Sequence, residues 1–579
     1  MKLLQKIVAI LLILVAIVSC IKWIYEPDIW WQIATGNWII ENGKVPVVDM
    51  FSYSYAGDPW INVKWGSEVL MAMIDNTLGV EFLPILQIVC LLLILFFTKK
   101  IFNLFSIQNG NTSPNKTLLG FVWATIIALF IVNFRLNSRP EMFSHLFTII
   151  AIYLYVNHKR TNSNQIYWLI PLQILWTNMH EAYGVGMIIS VIFLVSFWLE
   201  HKWVRPKYET GISFEPIKMT IAVLASILAI GINPHGFKMI LHPFTILGQL
   251  SDNKYTNELI SVRMEGYWQY QSIFMVIITL FLLFKLFKKN NYPLIIKPIA
   301  KIGLGYSIVL AAFLYLSLTS FRNIPFFIFV ATPLLAYYFS KIELKSKDSF
   351  KLYLGTTVLL VFFYGAITTN YFYKKLLPVE NYGLMINSEN NPIGAANFIK
   401  DNDIKGNGFV DYLSSSYFIY SDTSYKSLID LRDLDVFEIS FFDYIFSTYQ
   451  NPEAINYRKN NGKSFWAYLE ELDNYNYVVI LNSPEFRNMN QFFMHRNKDY
   501  ELVYADNLNS IYLKNIVKNS ALIEKYGYAT VKQGAFYPMT RLKPNETANT
   551  VSKIFWPFYK PKTKLENRYQ AVISDYLGL

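Results

Sequence analysis

The chain has 579 residues, of which 53% are hydrophobic and 17% aromatic, and it carries a formal net charge of +11. Apolar runs of about 20 residues recur, each long enough to cross a hydrocarbon core of about 30 Å, which excludes an ordinary soluble protein. The basic surplus falls in loops on one side of these runs and reads as membrane orientation; a nucleic-acid partner is not expected, since no basic patch is interleaved with stacking aromatics in a soluble module.

The runs predict an α-helical polytopic membrane protein of about eleven spans. They lie near residues 5–24, 80–98, 117–135, 141–157, 165–177, 182–199, 216–233, 268–287, 302–319, 323–340 and 351–372. Lys2 and Lys6 put the N-terminus in the cytoplasm. The inner loops then hold Lys99, Lys100 and Lys116, Lys159 and Arg160, Lys202, Arg205, Lys207 and Lys218. Further on they hold Lys285, Lys288, Lys289, Lys297, Lys301, Lys341, Lys345, Lys347 and Lys351. The odd span count leaves the C-terminal segment outside. Residues 1–20, ending Ile17-Val18-Ser19-Cys20, also fit a lipoprotein signal peptide. Cys20 and Cys90 both lie in apolar runs, so neither a disulfide nor a metal site is expected of them.

The organisation reads as a transmembrane part over 1–374, with a first outer loop at 25–79, a soluble extracytoplasmic α/β domain over 375–520, and an aromatic and basic tail over 521–579. In the first loop, Ile29 to Glu41 and Trp65 to Leu78 predict two interfacial helices, ending at Asn42-Gly43 and Gly79. Pro46, Gly57, Asp58 and Pro59 mark turns between them. In the soluble part, Ile393 to Lys400 predicts a helix, Gly406 to Asp411 a turn into a short strand, and Tyr477 to Leu481 a buried strand. Leu502-Val503-Tyr504 and Ile511-Tyr512-Leu513 flank a polar turn and predict a hairpin. The tail segment Phe555-Trp556-Pro557-Phe558-Tyr559-Lys560 either rests on the membrane surface or packs on the domain.

Polar chemistry collects at the outer ends of the spans. The clusters are Glu26-Pro27-Asp28, Arg139-Pro140-Glu141, Asn178-Met179-His180-Glu181, Asn233-Pro234-His235 and Arg322-Asn323. A carboxylate at that depth is a functional candidate by default. Glu26 and Asp28, two residues apart, suit a shared site in which one accepts a proton while the other positions it or holds a divalent cation; the alternative is a pair of interfacial charges ending the span. Asp49 and Glu68 extend the acidic set, with a capping or solvated role as the alternative for Asp49. Arg139 and Arg322 each present a planar fork of donors suited to phosphate, against plain headgroup snorkelling. His180, Glu181 and His235 suit hydrogen bonds to phosphate or sugar hydroxyls, against satisfied helix-end groups. His145, His180 and His235 show no metal-ligand spacing. No GxxxxGK[ST], GxGxxG or GxSxG motif is present.

The stretch EPDIWWQIATGNWIIENGKVPVVDMFSYSYAGDPWINVKWGSEVL resembles the first periplasmic loop of bacterial multi-span membrane proteins of the GT-C glycosyltransferase class, in a group with a D-x-WW-x-x-A-T-G start and a later W-x-S-E. SRPEMFS, LWTNMHEAYGVG, NPHGF and RNIPFF resemble its later outer-face motifs, and FIKDNDIKGNGFVDY and SLIDLRDLDVF its soluble part. The match spans most of residues 1–520. Gln32 stands where the group's usual start has His, so a proton relay at that position is not expected.

The resemblance implies a GT-C-like fold in the bacterial inner membrane and an inverting glycosyl transfer at its outer face. The donor would be a sugar or glycan on a polyprenyl phosphate, and the acceptor a glycan or protein. Asp28 maps onto the acidic catalytic residue of the class, with Asp49 the second candidate; Arg139 and Arg322 would hold the lipid phosphate. Glu26, Glu68, His180, Glu181 and His235 complete the expected substrate-binding set. No metal ligands and no certain cofactor are expected. An oligosaccharyltransferase moving a lipid-linked glycan onto protein is the first alternative and would bring Mg²⁺ or Mn²⁺. A non-catalytic scaffold or transporter is the second, although a transporter calls for charges near mid-span.

Overall fold

The computed structural model describes residues 2–108, 114–204, 216–245, 260–287, 302–342, 346–455, 462–531, 545–562 and 573–577. The chain divides into two compact units, one formed by Met1–Lys22 with Leu83–Gly383 and the other by Trp23–Phe82 with Leu384–Leu579.

In the first unit every predicted apolar run contains a helix. Among the described residues seven segments are long and apolar enough to cross a membrane, judged by length and composition: Lys2–Cys20, Val80–Ser106, Thr117–Arg135, Tyr183–Lys202, Tyr270–Phe287, Phe321–Ser340 and Asp348–Thr368. The other runs hold shorter or more polar helices, Glu141–Thr161, Leu169–Met179, Pro216–Ala229 and Leu304–Thr319. The helix predicted to reach residue 233 stops at Ala229, because Gly231 and Pro234 follow and tight turns such as Ile230 N–H to the Ile227 carbonyl replace the helical ladder. The helix Ile324–Ser340 is buried on nearly all sides. It approaches the helix Pro114–Val132 at Gly120, where a Cβ would lie 2.6 Å from the Ser340 nitrogen and 2.7 Å from the Ala336 oxygen. Close backbone approach through a small residue is how helices gain contact where lipid removes the hydrophobic drive. Two buried ion pairs, Lys22–Glu380 and Lys159–Glu200, compensate charges carried into this unit.

The second unit is discontinuous. Its first helix, Asp28–Asn42, buries Ile29, Trp30, Trp31 and Ile33 and ends at Gly43, whose φ of 64° allows its N–H to reach the Ile39 oxygen at 2.8 Å. Its second helix, Trp65–Leu78, stops at Gly79 with φ 98°. Both helices predicted in the first loop are thus present. They cross at Gly36, where a Cβ would sit 2.1 Å from the Glu68 carbonyl oxygen and 2.7 Å from the Ala72 Cβ. Only a glycine permits that approach.

The sheet of this unit has the strands β1 (Gly408–Val410), β2 (Tyr477–Leu481), β3 (Tyr500–Ala505) and β4 (Asn509–Lys514), in the order β1-β2-β4-β3. β1 runs parallel to β2, with Phe409 opposite Val478; β2 and β3 run antiparallel to β4. The predicted hairpin is β3–β4, and its turn is fixed by Asp506, which accepts from the N–H groups of Leu508 and Asn509 at 2.8 Å each. The predicted helix at 393 is Ile393–Asp401.

The sequence assigns the first loop to the membrane part, with a boundary near 374. The structure groups residues 23–82 with 384–579 instead. Backbone pairing explains this: Ile24 N–H reaches the Met385 oxygen at 2.7 Å, Asn387 N–H the Ile24 oxygen at 2.7 Å, Tyr53 N–H the Ser427 oxygen at 3.0 Å and Ser427 N–H the Phe51 oxygen at 2.8 Å. In the tail, the helix Glu546–Phe555 is capped by Asn545, which also donates to the Leu78 oxygen at 3.2 Å. Ser552 Oγ accepts from the Leu384 N–H at 3.0 Å. Tyr559 is buried while Phe558 is exposed, so this part of the tail packs on the unit.

Candidate active site

Pro27 precedes the first helix of the second unit and Asp28 is its first residue. Proline supplies the helical φ without a spare N–H, and a carboxylate in the first turn sits at the positive end of the helix dipole. The helix is held in place through Trp30, whose Nε1 donates to Asn391 Oδ1 at 2.5 Å and whose ring lies 4.8 Å from those of Tyr417 and Tyr420. Asn391 in turn donates to the Ile24 oxygen at 3.2 Å. Glu26 is buried just ahead of this helix.

One residue whose carboxyl feels the charge of Asp28 was not a candidate from the sequence. Asp433 accepts a hydrogen bond from Tyr412 Oη on Oδ1. Burial pushes its carboxyl up to about 8, with the negative charges of Asp28 and Asp435 adding to the rise and the Tyr412 hydrogen bond and Lys64 opposing it. Lys64 lies 3.8 Å from Asp435 and over the Trp31 ring at 5.5 Å. Asp433 has φ of 50°, a left-handed conformation that aspartate tolerates better than most side chains.

Glu68, named from the sequence, is completely buried. Asn62 Nδ2 donates to its Oε2 at 2.6 Å, while Oε1 has no hydrogen-bond partner. Burial pushes this carboxyl up to about 8 as well, so it is mostly protonated at neutral pH. Asp49, the second catalytic candidate, has both oxygens engaged. Oδ1 accepts from Arg432 Nη1 and from the N–H groups of Phe51 at 2.9 Å and Ser52 at 3.4 Å, and Oδ2 accepts from the Ser52 hydroxyl. Arg432 also donates through Nε and Nη2 to Asp430, at 2.8 Å each. The guanidinium lies over the rings of Phe51, Trp60 and Phe437 at 5.1–5.8 Å. Arg432, Asp49 and Asp430 are all fully buried, and this clamp fastens the first loop to the segment that carries Asp433.

The remaining candidates belong to the first unit, where they form two groups. In one, Glu141 pairs with Arg135 at 2.6 Å and interacts electrostatically with His145, Arg322 and His180. His180 Nδ1 accepts from Ser144 Oγ at 2.8 Å and from the Ala182 N–H at 3.2 Å, and Trp176 Nε1 donates to the same serine at 2.7 Å. Arg139 opens this segment, its N–H bonded to the Asn137 oxygen at 2.8 Å. In the other group, Glu181 and His235 both bear on His242, and the His235 N–H is held by Asn233 Oδ1 at 2.6 Å.

The sequence reading missed Tyr412, Arg432, Asp433 and Arg135. The acid-rich run Leu428 to Asp435 was the available signal for Arg432 and Asp433, but nothing local distinguishes Asp433 from Asp430 or Asp435. Among the described residues no group of three or more His, Cys, Asp or Glu side chains is arranged to hold a metal ion.

No family model matches the chain, and no curated protein matches it. The solved structures similar to the chain include two at low identity. One is the apo oligosaccharyltransferase of Archaeoglobus fulgidus, at 10% identity and a TM-score of 0.47, covering 88% of this chain and 74% of that one. The other is ArnT from Cupriavidus metallidurans, solved bound to undecaprenyl phosphate, at 12% identity and a TM-score of 0.31, covering 88% of this chain and 98% of that one.

Proposed function

We propose that the chain is an inverting glycosyltransferase of the inner membrane, moving a sugar from a polyprenyl-phosphate carrier to a glycan or protein acceptor at the outer face. Asp28 is the base. As the acceptor oxygen bonds to the anomeric carbon, its proton passes to the Asp28 carboxylate, and the anomeric C–O bond breaks with its electron pair going to the lipid phosphate. Arg139 and Arg322 are assigned to that phosphate, where guanidinium donors offset the developing charge. Glu26, Glu68, His180, Glu181 and His235 are assigned to substrate binding, and about eleven crossings place the C-terminal segment outside.

The observation that carries this reading is the setting of Asp28: a carboxylate at the start of a helix that Trp30 anchors to Asn391, its charge felt by the buried Asp433. The first-loop motif supports the class of reaction.

The test is Asp28→Asn expressed in cells lacking the native protein, with surface glycans profiled by mass spectrometry. The expected result is loss of at least one glycan species at normal protein level, a fall of about 100-fold or more in transfer. An unchanged glycan profile with normal protein level would refute the proposal.

A further inference from the structure

We infer that Ser144 and Trp176 are positioning residues for His180: a one-way run of hydrogen bonds, from the Trp176 indole through the Ser144 hydroxyl to His180 Nδ1, leaves the ring proton on Nε2, which donates a hydrogen bond to a substrate oxygen. This rests on the reading of His180 as a substrate-binding residue.

The direction of each bond follows from what each group can do. An indole N–H only donates, so Trp176 Nε1, 2.7 Å from Ser144 Oγ, makes that oxygen an acceptor. The hydroxyl has one proton of its own, and His180 Nδ1 lies 2.8 Å from it. The Ala182 N–H, also a donor only, is 3.2 Å from the same nitrogen. Two donors aimed at Nδ1 fix it as the unprotonated nitrogen of the ring. A neutral imidazole then carries its proton on Nε2, and an imidazolium, which has no acceptor nitrogen, does not fit.

The frame around this network is closely packed. Ser144 and Trp176 are fully buried on the helices Glu141–Thr161 and Leu169–Met179. The Trp176 ring lies 5.9 Å from that of Phe147 and packs on Gly186, where a Cβ would fall 2.7 Å from its six-membered ring. His180 is the residue at which the second of these helices ends, with an extended backbone of φ −164° and ψ 141°. Its N–H bonds to the Trp176 carbonyl at 3.2 Å and its carbonyl accepts from the Tyr183 N–H at 3.2 Å. Backbone bonds on both sides thus hold the residue without help from its ring. What the side-chain bonds add is the orientation of the imidazole and its tautomer, since the bond made at one ring nitrogen sets which nitrogen meets a ligand as a donor. The acceptor is an oxygen, on the carrier phosphate or on a sugar hydroxyl, and both accept from a neutral N–H. No proton is transferred in this role and no other reactant is consumed.

The experiment uses the full chain in lipid nanodiscs with nitrogen-15-labelled histidine, and the variants Ser144→Ala, Ser144→Thr and Trp176→Phe. His180→Gln identifies the His180 resonances by subtraction. In wild type, Nε2 should resonate as a protonated, pyrrole-type nitrogen and Nδ1 as a hydrogen-bonded, pyridine-type one. Ser144→Ala should move the Nδ1 signal toward that of an unbonded nitrogen, and Ser144→Thr, which keeps the hydroxyl, should restore it. Trp176→Phe releases the hydroxyl to turn and should move the signal part of the way. Two probes are then added, undecaprenyl phosphate and a panel of methyl glycosides. Displacement of the Nε2 signal by the first puts the acceptor on the phosphate, and by the second on a sugar hydroxyl. Ser144→Ala should weaken binding of the active probe about tenfold and Ser144→Thr by no more than about threefold. A wild-type ring protonated at Nδ1, or an Nδ1 signal unchanged in Ser144→Ala, overturns the inference. So does an Nε2 signal that neither probe moves, in protein that releases polyprenyl phosphate from glycosylated carriers. The same silence in protein that cleaves no carrier counts against the proposed reaction instead, and leaves the tautomer set by Ser144 and Trp176 standing.

Discussion

Replacing Arg432 with methionine should open the second unit at one place. The clamp holds two carboxylates and one guanidinium, all fully buried. Without Arg432, Asp49 keeps the Phe51 and Ser52 N–H groups and the Ser52 hydroxyl, and Asp430 keeps the Ser427 hydroxyl at 2.6 Å and the backbone N–H of residue 432 at 3.0 Å. The hydrogen bonds are largely met but the countercharge is gone, and stranding buried charge in this way costs about 3–5 kcal/mol. Asp49→Asn makes the opposite change. It leaves Arg432 paired two-pronged with Asp430 and brings the cluster to neutrality, so it should cost only about 1–2 kcal/mol. Amide hydrogen exchange reads the difference locally, because Tyr53 N–H and Ser427 N–H bond across the clamp. In Arg432→Met these amides should exchange on the order of 10²–10³ times faster, and in Asp49→Asn no more than about 30 times faster. Exchange in Arg432→Met within a few-fold of wild type, or faster exchange in Asp49→Asn than in Arg432→Met, would refute the reasoning.

Glu68 gives a pH dependence of stability. In the unfolded chain it titrates near 4.3, and in the fold burial holds it near 8. The folded state therefore binds more protons across that window, so this contribution is fully present below the unfolded value, declines as pH rises toward 8 and is spent above it. Glu68→Gln should remove the decline and gain on wild type between pH 5 and pH 8 by up to about 4 kcal/mol. Unfolding midpoints of both proteins against pH check this, and parallel curves would contradict it. Gly36→Ala forces a methyl onto the Glu68 carbonyl and should cost about 3 kcal/mol or more. Gly43→Ala, with open space around it but φ of 64°, should cost only about 1 kcal/mol. Thermal unfolding followed by tryptophan fluorescence should rank them in that order.

What could be read from the sequence was what local pattern encodes. The two first-loop helices end where Gly43 and Gly79 say they should, and the hairpin forms around Asp506 because a short acceptor side chain closes that turn on its own backbone. Apolar runs located the membrane-part helices, with the error largest where the helix predicted to stop at 98 runs on to Gln108. Partnership across the chain was not legible. Asp49 reads as a loop acid with a free carboxylate, and nothing near it announces Arg432. Asp433 reads as one acid among several, because its left-handed backbone and its hydrogen bond from Tyr412 belong to the folded chain and no spacing rule connects them. The partners that candidate residues take, such as Arg432 on Asp49, emerged only from the three-dimensional structure.

The interrupted layout of the second unit sets a timetable for biogenesis. Asp49 leaves the ribosome 383 positions before Arg432, a wait of roughly 20–80 s at 5–20 residues per second. Over that interval the nascent first loop has neither its ionic fastening nor the backbone partners at residues 385–387 and 427. It must therefore be carried through insertion of the intervening helices as an immature segment, and a chain halted before residue 432 would strand it there for quality-control proteases to find.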